Sequence, residues 1–268
     1  MWDVHVPPGN VAYFRSVLER RDYMVYAASN ELRSRQMNSV LGNLWHLLNP
    51  MLQIAVYFVI FGVVLGVDRG EDYFVFLSIG IFVFGFTQRS TTSGANSINN
   101  NKGLLNAFSF PRALLPVTST LTEALATVSP VMVMYVVALV SGVTPTWTWL
   151  LALPLMGIQL LFNFGWALVA ARATSSVRDI SQLLPFIFRL LLYGSGVLFD
   201  VQRYTEGRSY GWIFDFNPVY CIVTLVRWCI IGGEFRSDLL AIFLGWTVLV
   251  GLFGLVWFRA GEGTYGRD

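Results

Sequence analysis

Residues 124–171 decide the fold of this chain: ALATVSPVMVMYVVALVSGVTPTWTWLLALPLMGIQLLFNFGWALVAA. The stretch contains no charged residue, and the turn-forming residues Gly142 and Pro145 divide it into two halves. Each half, with its apolar flanks, is long enough to cross the ~30 Å hydrocarbon core of a bilayer as an α-helix. We therefore predict two membrane spans, over residues 114–141 and 147–171.

The composition of the whole chain supports the same class. Hydrophobic residues make up 55% of the 268 residues and charged residues only 13%, with a mean hydropathy of +0.58. A soluble domain carries about 25% charged residues, so a membrane protein is predicted. The net charge of +2 gives no sign of nucleic-acid binding. With two histidines and the two separated cysteines Cys221 and Cys229, no metal site is predicted.

Further apolar runs complete an all-α integral membrane domain with about six transmembrane helices. These runs cover residues 44–66, 73–88, 180–199 and 239–258. The polar stretch 94–112 is predicted to be a loop with short helical pieces. Between spans five and six, the apolar piece 219–232 contains Arg227 and is predicted to form a re-entrant or interfacial outer hairpin. The single domain 1–268 then comprises a cytoplasmic N-terminus (1–43), a membrane region (44–259) and a cytoplasmic tail (260–268).

The orientation follows from the distribution of basic residues. Residues 1–43 are polar and lack the apolar core of a signal peptide, which places the N-terminus in the cytoplasm. Most arginines then fall in loops on the cytoplasmic side. The outer segment 200–237 is the exception, since it contains Arg203, Arg208, Arg227 and Arg236. We predict a multi-pass protein of the plasma (inner) membrane with both termini cytoplasmic.

An amphipathic helix is predicted over residues 13–35. Apolar residues recur at helical spacing with charged residues between them, and the stripe comprises Phe14, Val17, Leu18, Arg21 and Val25. Such a helix is either a plain surface anchor or a helix that lies between the membrane and a cytoplasmic partner.

Motifs of an enzyme or of a self-powered pump are missing from the sequence. It has no G-x-x-x-x-G-K-[ST] loop, no H-E-x-x-H and no G-x-S-x-G motif. Only one acid, Glu123, falls inside a predicted span, where ion-coupled transporters usually carry several. Energy for transport must therefore come from another subunit.

The order of motifs resembles that of the ABC-2 permeases that export O-antigen, teichoic acid or capsule chains. Gly42, Trp45 and Pro50 precede or open the first span in the pattern LGxxW…xP, and further matches lie in residues 99–105, 110–112, 178–180 and 217–218. The chain departs from the family at Ser195-Gly196, where the family often has Ser-Pro. The predominance of arginine, with Lys102 the one lysine, suggests an actinobacterial host with cell-wall galactan as cargo.

The resemblance implies a permease subunit that is not itself an enzyme. Two copies would pair as a homodimer with two copies of an ATPase subunit, which would hold ATP and Mg, while this chain binds no cofactor. The cargo would be a polyprenyl-diphosphate-linked polysaccharide, moved to the outer side among membrane lipids. Two alternatives stay open: an ABC-2 permease for a smaller lipid or drug, and a membrane-embedded glycosyl- or phospho-transferase.

The resemblance also implies a cytoplasmic coupling site. The ATPase would contact the helix around Glu19 and Glu31, and a coupling helix between spans two and three, made of Asn99, Asn100, Asn101, Lys102, Gly103, Leu104 and Leu105. Arg33 and Arg35 lie at the inner headgroup level, where guanidinium groups can fork onto a diphosphate or bind ordinary anionic lipid.

A glycan conduit is expected to be lined by aromatic rings, and the candidates are Trp45, Tyr57, Phe58, Tyr193 and Phe199. Glu123 and Arg189 lie at matched depths in spans three and five, about 15 Å along each helix. Since a lone charge there costs ~2.5–3.5 kcal/mol, we predict that the two pair with each other or both face an aqueous conduit. A shifted span boundary, with Arg189 reaching the interface, is the alternative.

Overall fold

The computed structural model describes residues 9–37, 44–60, 72–107, 110–201 and 211–265. In these ranges the chain forms helices joined by turns, and a 3-10 turn at Trp147–Leu151 leads into the seventh helix. The helices are α1 Asn10–Leu18, α2 Arg21–Met37, α3 Leu44–Phe58, α4 Tyr73–Asn100, α5 Lys102–Ala107, α6 Leu114–Val140, α7 Ala152–Ser176, α8 Ile180–Gly194, α9 Trp212–Asp215, α10 Pro218–Ile231 and α11 Ser237–Ala260.

Four of the helices in the described ranges are long and apolar enough to cross a bilayer. They are α4, α6, α7 with its 3-10 lead, and α11, whereas α8 and α10 are shorter apolar helices. The first predicted span begins as α3, but its last six residues, 61–66, lie outside the described residues. The prediction of an all-α membrane protein is confirmed, with four candidate spans.

The prediction that a loop begins at residue 94 is wrong, because α4 continues to Asn100. Its polar half is buried against α6 and α7. The hydroxyl of Ser97 donates to the Gly94 carbonyl at 2.7 Å, so this polar side chain is satisfied by its own helix. A methyl group at Gly94 would lie 2.5 Å from the Ala167 Cβ, which shows how closely α4 and α7 approach. Close contact through small residues is typical of helices in membranes.

The predicted amphipathic helix is divided in two by a turn at Glu19 and Arg20. Its buried stripe also differs from the predicted one, since the side chains that pack inward are Tyr13, Val17, Met24 and Ala28. Leu18 and Val25 are exposed, and the side chain of Phe14 lies outside the described residues. Because α2 packs along α6, its orientation is set by that neighbour and not by hydropathy alone.

Helix α10 is buried within the bundle, although it is too short to count as a span. It packs against α4, α7 and α11, and nearly all its residues from Val219 to Ile230 are buried. The prediction of a re-entrant or interfacial hairpin stays a prediction, and the structure adds that this helix is enclosed by its neighbours. The fifth predicted span also ends early: α8 stops at Gly194, and Gly196 follows in the left-handed region with φ +59°.

Candidate functional site

A buried carboxylate with two arginines forms the first charged site, which we call the Glu123 cluster (Arg35, Arg89, Glu123 and Thr127). Arg35 Nη1 lies 2.7 Å from Glu123 Oε1, and Arg89 Nε lies 3.7 Å from Glu123 Oε2. The Thr127 hydroxyl donates to the Glu123 carbonyl at 2.7 Å. Three helices, α2, α4 and α6, therefore meet at one carboxylate.

Exposure differs sharply within the Glu123 cluster. The Glu123 side chain is 6% exposed, whereas each arginine side chain is 34% exposed. Arg35 is also bound by Glu31, one turn earlier in α2, at 3.1 Å. The carboxylate is thus enclosed, and the two guanidinium groups form the side of the cluster that reaches the surface of the subunit.

The prediction that Glu123 pairs with Arg189 is wrong. Arg35 and Arg89 occupy both oxygens of the carboxylate, and Arg189 is exposed on α8. The matched depth along two helices did not bring the two residues together, because depth fixes the position along the bundle but not the direction around each helix.

The Glu123 cluster lies on the α5 side of the middle of the bundle, because Arg89 is the seventeenth of the 28 residues of α4 and Glu123 is the tenth of the 27 residues of α6. Helix α4 has 28 residues and is about 42 Å long, which exceeds the ~30 Å hydrocarbon core by about 12 Å. Arg89 opens the polar half of α4 that runs to Asn100, so the excess is expected to project at the α5 end. The cluster is then close to the boundary between hydrocarbon and headgroups on that side.

The α5 end of the bundle is held together by a second hydrophobic core, separate from the main one. It joins α1, α2, α5, α6, α7 and α11 through buried residues: Tyr13, Val17, Met24, Ile98, Leu105, Ala113, Leu114, Leu115, Leu168, Ala171, Phe258 and Tyr265. The chain ends, α1 and residues 261–265, therefore pack on the same surface as α5.

Polar contacts strengthen this second core. The Tyr13 hydroxyl donates to Glu262 Oε1 at 2.8 Å and accepts from the Ala113 amide at 3.2 Å. Burial, and then the charge of Glu262, raise the pKa of Tyr13 above its ordinary value of 10.0, so the phenol stays a donor at neutral pH. The Arg112 amide donates to the same carboxylate at 2.9 Å. Glu262 thus connects the two chain ends with the start of α6.

Comparison with known proteins identifies the kind of molecule that has this architecture. A profile of the ABC-2 type transporter family matches residues 25–231, which is most of the chain. The chain belongs to this family. As an ABC-2 subunit it is a transport subunit and a multi-pass protein of the inner membrane, and ATP hydrolysis belongs to a separate partner.

Several relatives are similar over nearly their whole length. The O-antigen export system permease protein RfbA of Klebsiella pneumoniae is 26% identical over 239 residues, covering 89% of this chain and 91% of that protein. RfbA of Myxococcus xanthus is 26% identical over 210 residues, covering 78% and 80%. The polysialic acid transport protein KpsM of Escherichia coli is 23% identical over 235 residues, covering 87% and 90%.

The residues predicted to couple this ABC-2 subunit to an ATPase lie at the α5 end. Asn99 and Asn100 complete α4, and Asn101 ends it, with its side chain donating to the Ser97 carbonyl at 2.8 Å. In α5, Leu105 is buried in the second core, Lys102 and Leu104 are half-buried, and Gly103 is exposed. Glu19 ends α1 and pairs with Arg15 at 3.0 Å, on an exposed surface.

The aromatic residues predicted to line a conduit lie on or just after two helices, α3 and α8, whereas Glu123 is buried on α6. Trp45 is exposed on α3, and Tyr193 is exposed on α8 together with Arg189. Tyr57 and Phe58 are half-buried against the main core, where Phe58 meets the Phe74 ring edge-on at 5.2 Å.

Phe199 follows α8 and packs partly buried against the same core. Arg33 is exposed on α2. Within the described ranges no group of three His, Cys, Asp or Glu side chains is placed to hold a metal ion.

Arg227 forms a second charged site, at the opposite end of the bundle, that the sequence did not predict. Its guanidinium donates to the Gly196 carbonyl at 2.7 Å, to the Val197 carbonyl at 2.8 Å, and twice to the Phe76 carbonyl at 3.1 and 3.2 Å. It also stacks on the Phe76 ring, 3.3 Å from the centroid. Two of these acceptors, the carbonyls of Gly196 and Val197, lie just beyond the end of α8, which leaves them without a helical partner, whereas Phe76 lies within α4.

Asn217 bridges the same break from the side of α10. Its Oδ1 accepts from the amides of Val219 at 3.0 Å and Tyr220 at 3.5 Å, which caps the start of α10. Its Nδ2 donates to the Gly194 carbonyl at 3.1 Å and to the Ser195 hydroxyl at 2.9 Å. The broken end of α8 is therefore fixed by two side chains, Arg227 and Asn217.

Proposed function

We propose that the chain is the permease subunit of an ABC exporter for a polysaccharide linked to polyprenyl diphosphate. The proposal is carried by similarity along about nine-tenths of both chains to RfbA of Klebsiella pneumoniae and KpsM of Escherichia coli, whose names describe O-antigen export and polysialic acid transport. The direction is from the cytoplasm to the outer side, and the energy comes from two copies of an ATPase that bind ATP and Mg.

The α5 end of the bundle supports a cytoplasmic contact with that ATPase. Gly103 of α5 and Glu19 of α1 are exposed at this end, while Leu105 and Val17 anchor the same two helices in the second core. A force applied to α5 or α1 is therefore transmitted to α6, α7 and α11, which share that core. Both termini accordingly lie in the cytoplasm, and α1 with α2 lies at the inner interface.

The exposed face of α8 supports a homodimer with a conduit between the two copies. That face is apolar except for Gln182, near the start of the helix, and Arg189, with Leu183, Phe186, Ile187, Leu190 and Tyr193 exposed beside them. A guanidinium that faces hydrocarbon costs ~2.5–3.5 kcal/mol on insertion scales, a cost that an aqueous conduit or a second subunit removes. We place α3 and α8 at the conduit and count both as spans, so the subunit has six spans together with the four long apolar helices. Helix α10 is then a re-entrant segment and is not counted as a span.

The test is copurification with the ATPase. We propose to express the subunit with a candidate ATPase and to place a tryptophan on the exposed surface of α5 with Gly103→Trp, where a Cβ has no neighbour within 4 Å. The matched control is Thr144→Trp, exposed at the opposite end of the bundle.

We expect Gly103→Trp to lower the recovered ATPase by at least about tenfold, which is the effect of losing ~1.4 kcal/mol of interface energy. The control should retain full recovery. Equal recovery in both variants would remove α5 from the contact. ATP-independent export by the isolated subunit in vesicles would refute the proposed function itself.

A further inference from the structure

We infer that Arg35 and Arg89 together form a binding site for a diphosphate group, and that Glu123 occupies both guanidinium groups until the anion replaces it. The identity of the ligand rests on the proposed function, because a polyprenyl diphosphate is the carrier of that cargo. The site itself rests on the geometry of the Glu123 cluster, in which Arg89 and Glu123 were not predicted to take part in anion binding.

Arg89 has most of its hydrogen-bonding capacity unspent within the described part of the chain. A guanidinium has five N–H donors, and good N–H···O bonds measure about 2.7–3.2 Å. The polar contacts of Arg89 with the described residues are longer: 3.7 Å to Glu123 Oε2 and 3.4 Å to the Thr127 hydroxyl. Its guanidinium also lies over Gly85, where a Cβ would be only 2.9 Å from Nη1. The group is thus held in place, but loosely bonded.

Arg35 presents a second guanidinium to the same carboxylate from a different helix. Because Arg35 contacts Oε1 and Arg89 contacts Oε2, a single side chain separates the two cations. A diphosphate has two phosphate groups, each with oxygens arranged for a bidentate contact with a guanidinium. If Glu123 turns away, one diphosphate can therefore meet both arginines.

The charges explain why the anion competes with Glu123. Arg35 and Arg89 are balanced by Glu31 and Glu123, so the cluster is neutral without a ligand. Adding a diphosphate beside an ionised Glu123 brings like charges together, which opposes binding. Removal of this one negative charge should therefore strengthen diphosphate binding, whereas a purely structural ion pair predicts no such gain.

The position along the bundle suits the headgroup of a lipid. The cluster lies on the side of the polar half of α4, near the boundary of the hydrocarbon. A lipid diphosphate at that level keeps its polyprenyl chain in the bilayer, and its glycan is on the aqueous side. Arg21, at the start of the same helix, is exposed and lies 3.8 Å from Asp22, so it serves as the matched control.

The experiment measures ligand affinity in nanodiscs of zwitterionic phosphatidylcholine, with the subunit purified together with its ATPase. The probes are undecaprenyl diphosphate, undecaprenyl monophosphate and phosphatidylglycerol, each titrated and quantified by native mass spectrometry. We expect the unmodified subunit to bind the diphosphate at least about tenfold more tightly than phosphatidylglycerol, since each charge-assisted hydrogen bond is worth ~1.5–3 kcal/mol in general.

The variants separate a binding site from a structural ion pair. Arg35→Gln and Arg89→Gln should each weaken diphosphate binding by at least about tenfold, and Arg21→Gln by less than about twofold. Glu123→Gln should strengthen it. Arg89→Lys keeps the positive charge but removes the planar guanidinium with its paired N–H donors. This variant should therefore stay folded and lose the preference for diphosphate over monophosphate.

Three outcomes would overturn the inference. Equal affinity for phosphatidylglycerol and the diphosphate would make the cluster a site for ordinary lipid phosphate. Weaker binding in Glu123→Gln, together with unchanged binding in Arg89→Lys, would make it a structural ion pair. Glycan export that persists with unchanged diphosphate affinity in Arg89→Gln would refute this site but leave the proposed function standing. Diphosphate binding by a subunit with which no ATPase copurifies would refute the proposed function but leave this site standing.

Discussion

Replacement of Arg227 by methionine tests how the broken end of α8 is held inside the bundle. The substitution keeps a long apolar stem but removes every donor, so the carbonyls of Gly196 and Val197 lose their partner. The Phe76 carbonyl keeps its bond within α4. In a membrane-embedded bundle no water replaces that partner readily, and the unwound segment after Gly194 should be destabilised.

The magnitude follows from the number of acceptors. Each buried carbonyl left without a partner costs ~1–3 kcal/mol, which gives about 2–6 kcal/mol for Gly196 and Val197, the two acceptors that lie outside any helix. Methionine recovers the cost of burying a guanidinium, so we expect the low end, about 2 kcal/mol. For a chain of this size that corresponds to a fall in Tm of about 4–8 °C.

Lysine at position 227 separates charge from geometry. Arg227→Lys keeps the buried charge but cannot serve three carbonyls in a planar fork, so it should destabilise the subunit at least as much as Arg227→Met. The assay is thermal unfolding in detergent followed by intrinsic fluorescence. Arg189→Met, which removes an exposed arginine from α8, should change the stability by less than about 0.5 kcal/mol. A Tm for Arg227→Lys equal to that of the unmodified subunit would refute the reasoning.

Two further substitutions test the packing. Gly254→Ala places a Cβ 2.6 Å from the Gly165 carbonyl oxygen and should destabilise the contact between α7 and α11 by ~1–3 kcal/mol. The control, Gly245→Ala, adds a Cβ that meets nothing within 4 Å and should be neutral or stabilising. Equal Tm values for the two variants would contradict the close approach of the helices. Asn217→Ala removes the cap of α10 and should lower the free energy of unfolding by ~0.5–2 kcal/mol, measured by thermal unfolding. Asn217→Asp keeps the accepting oxygen and should lose less stability. An alanine variant as stable as the unmodified subunit would show that the cap contributes nothing.

The spans were predictable from the sequence where hydropathy alone decides the structure. Predicted residues 114–141 and 239–258 agree closely with α6 and α11. The prediction failed at α4, whose second half is polar yet buried, because its hydroxyl and amide groups bond to their own helix or to α7. A hydropathy scale treats such residues as exposed, although packing between helices can satisfy them.

The sites were predictable only in part, because sequence gives the depth of a charge but not its partner. Glu123 was correctly singled out as a charge that needs compensation. Arg89 was counted only as a cytoplasmic loop cation, since the predicted span ended just before it. One signal was available: Gly85 lies one turn before Arg89, and only glycine leaves room there for a guanidinium that folds back over the helix.

The two arginine sites differ in how much of their bonding capacity the protein uses, and that difference assigns their roles. Arg227 gives four hydrogen bonds of 2.7–3.2 Å to backbone carbonyls, and two of these carbonyls, Gly196 and Val197, lie outside any helix, so moving Arg227 would leave them unsatisfied. Among the described residues, Arg89 makes two long contacts, one to the Glu123 carboxylate that Arg35 also binds and one to the Thr127 hydroxyl. A ligand can replace that carboxylate as the partner of Arg89, whereas nothing in a bilayer can replace Arg227 as the donor to those two carbonyls. Arg227 therefore stabilises the fold, and the exchangeable pair at the α5 end is the one suited to bind and release an anion during transport.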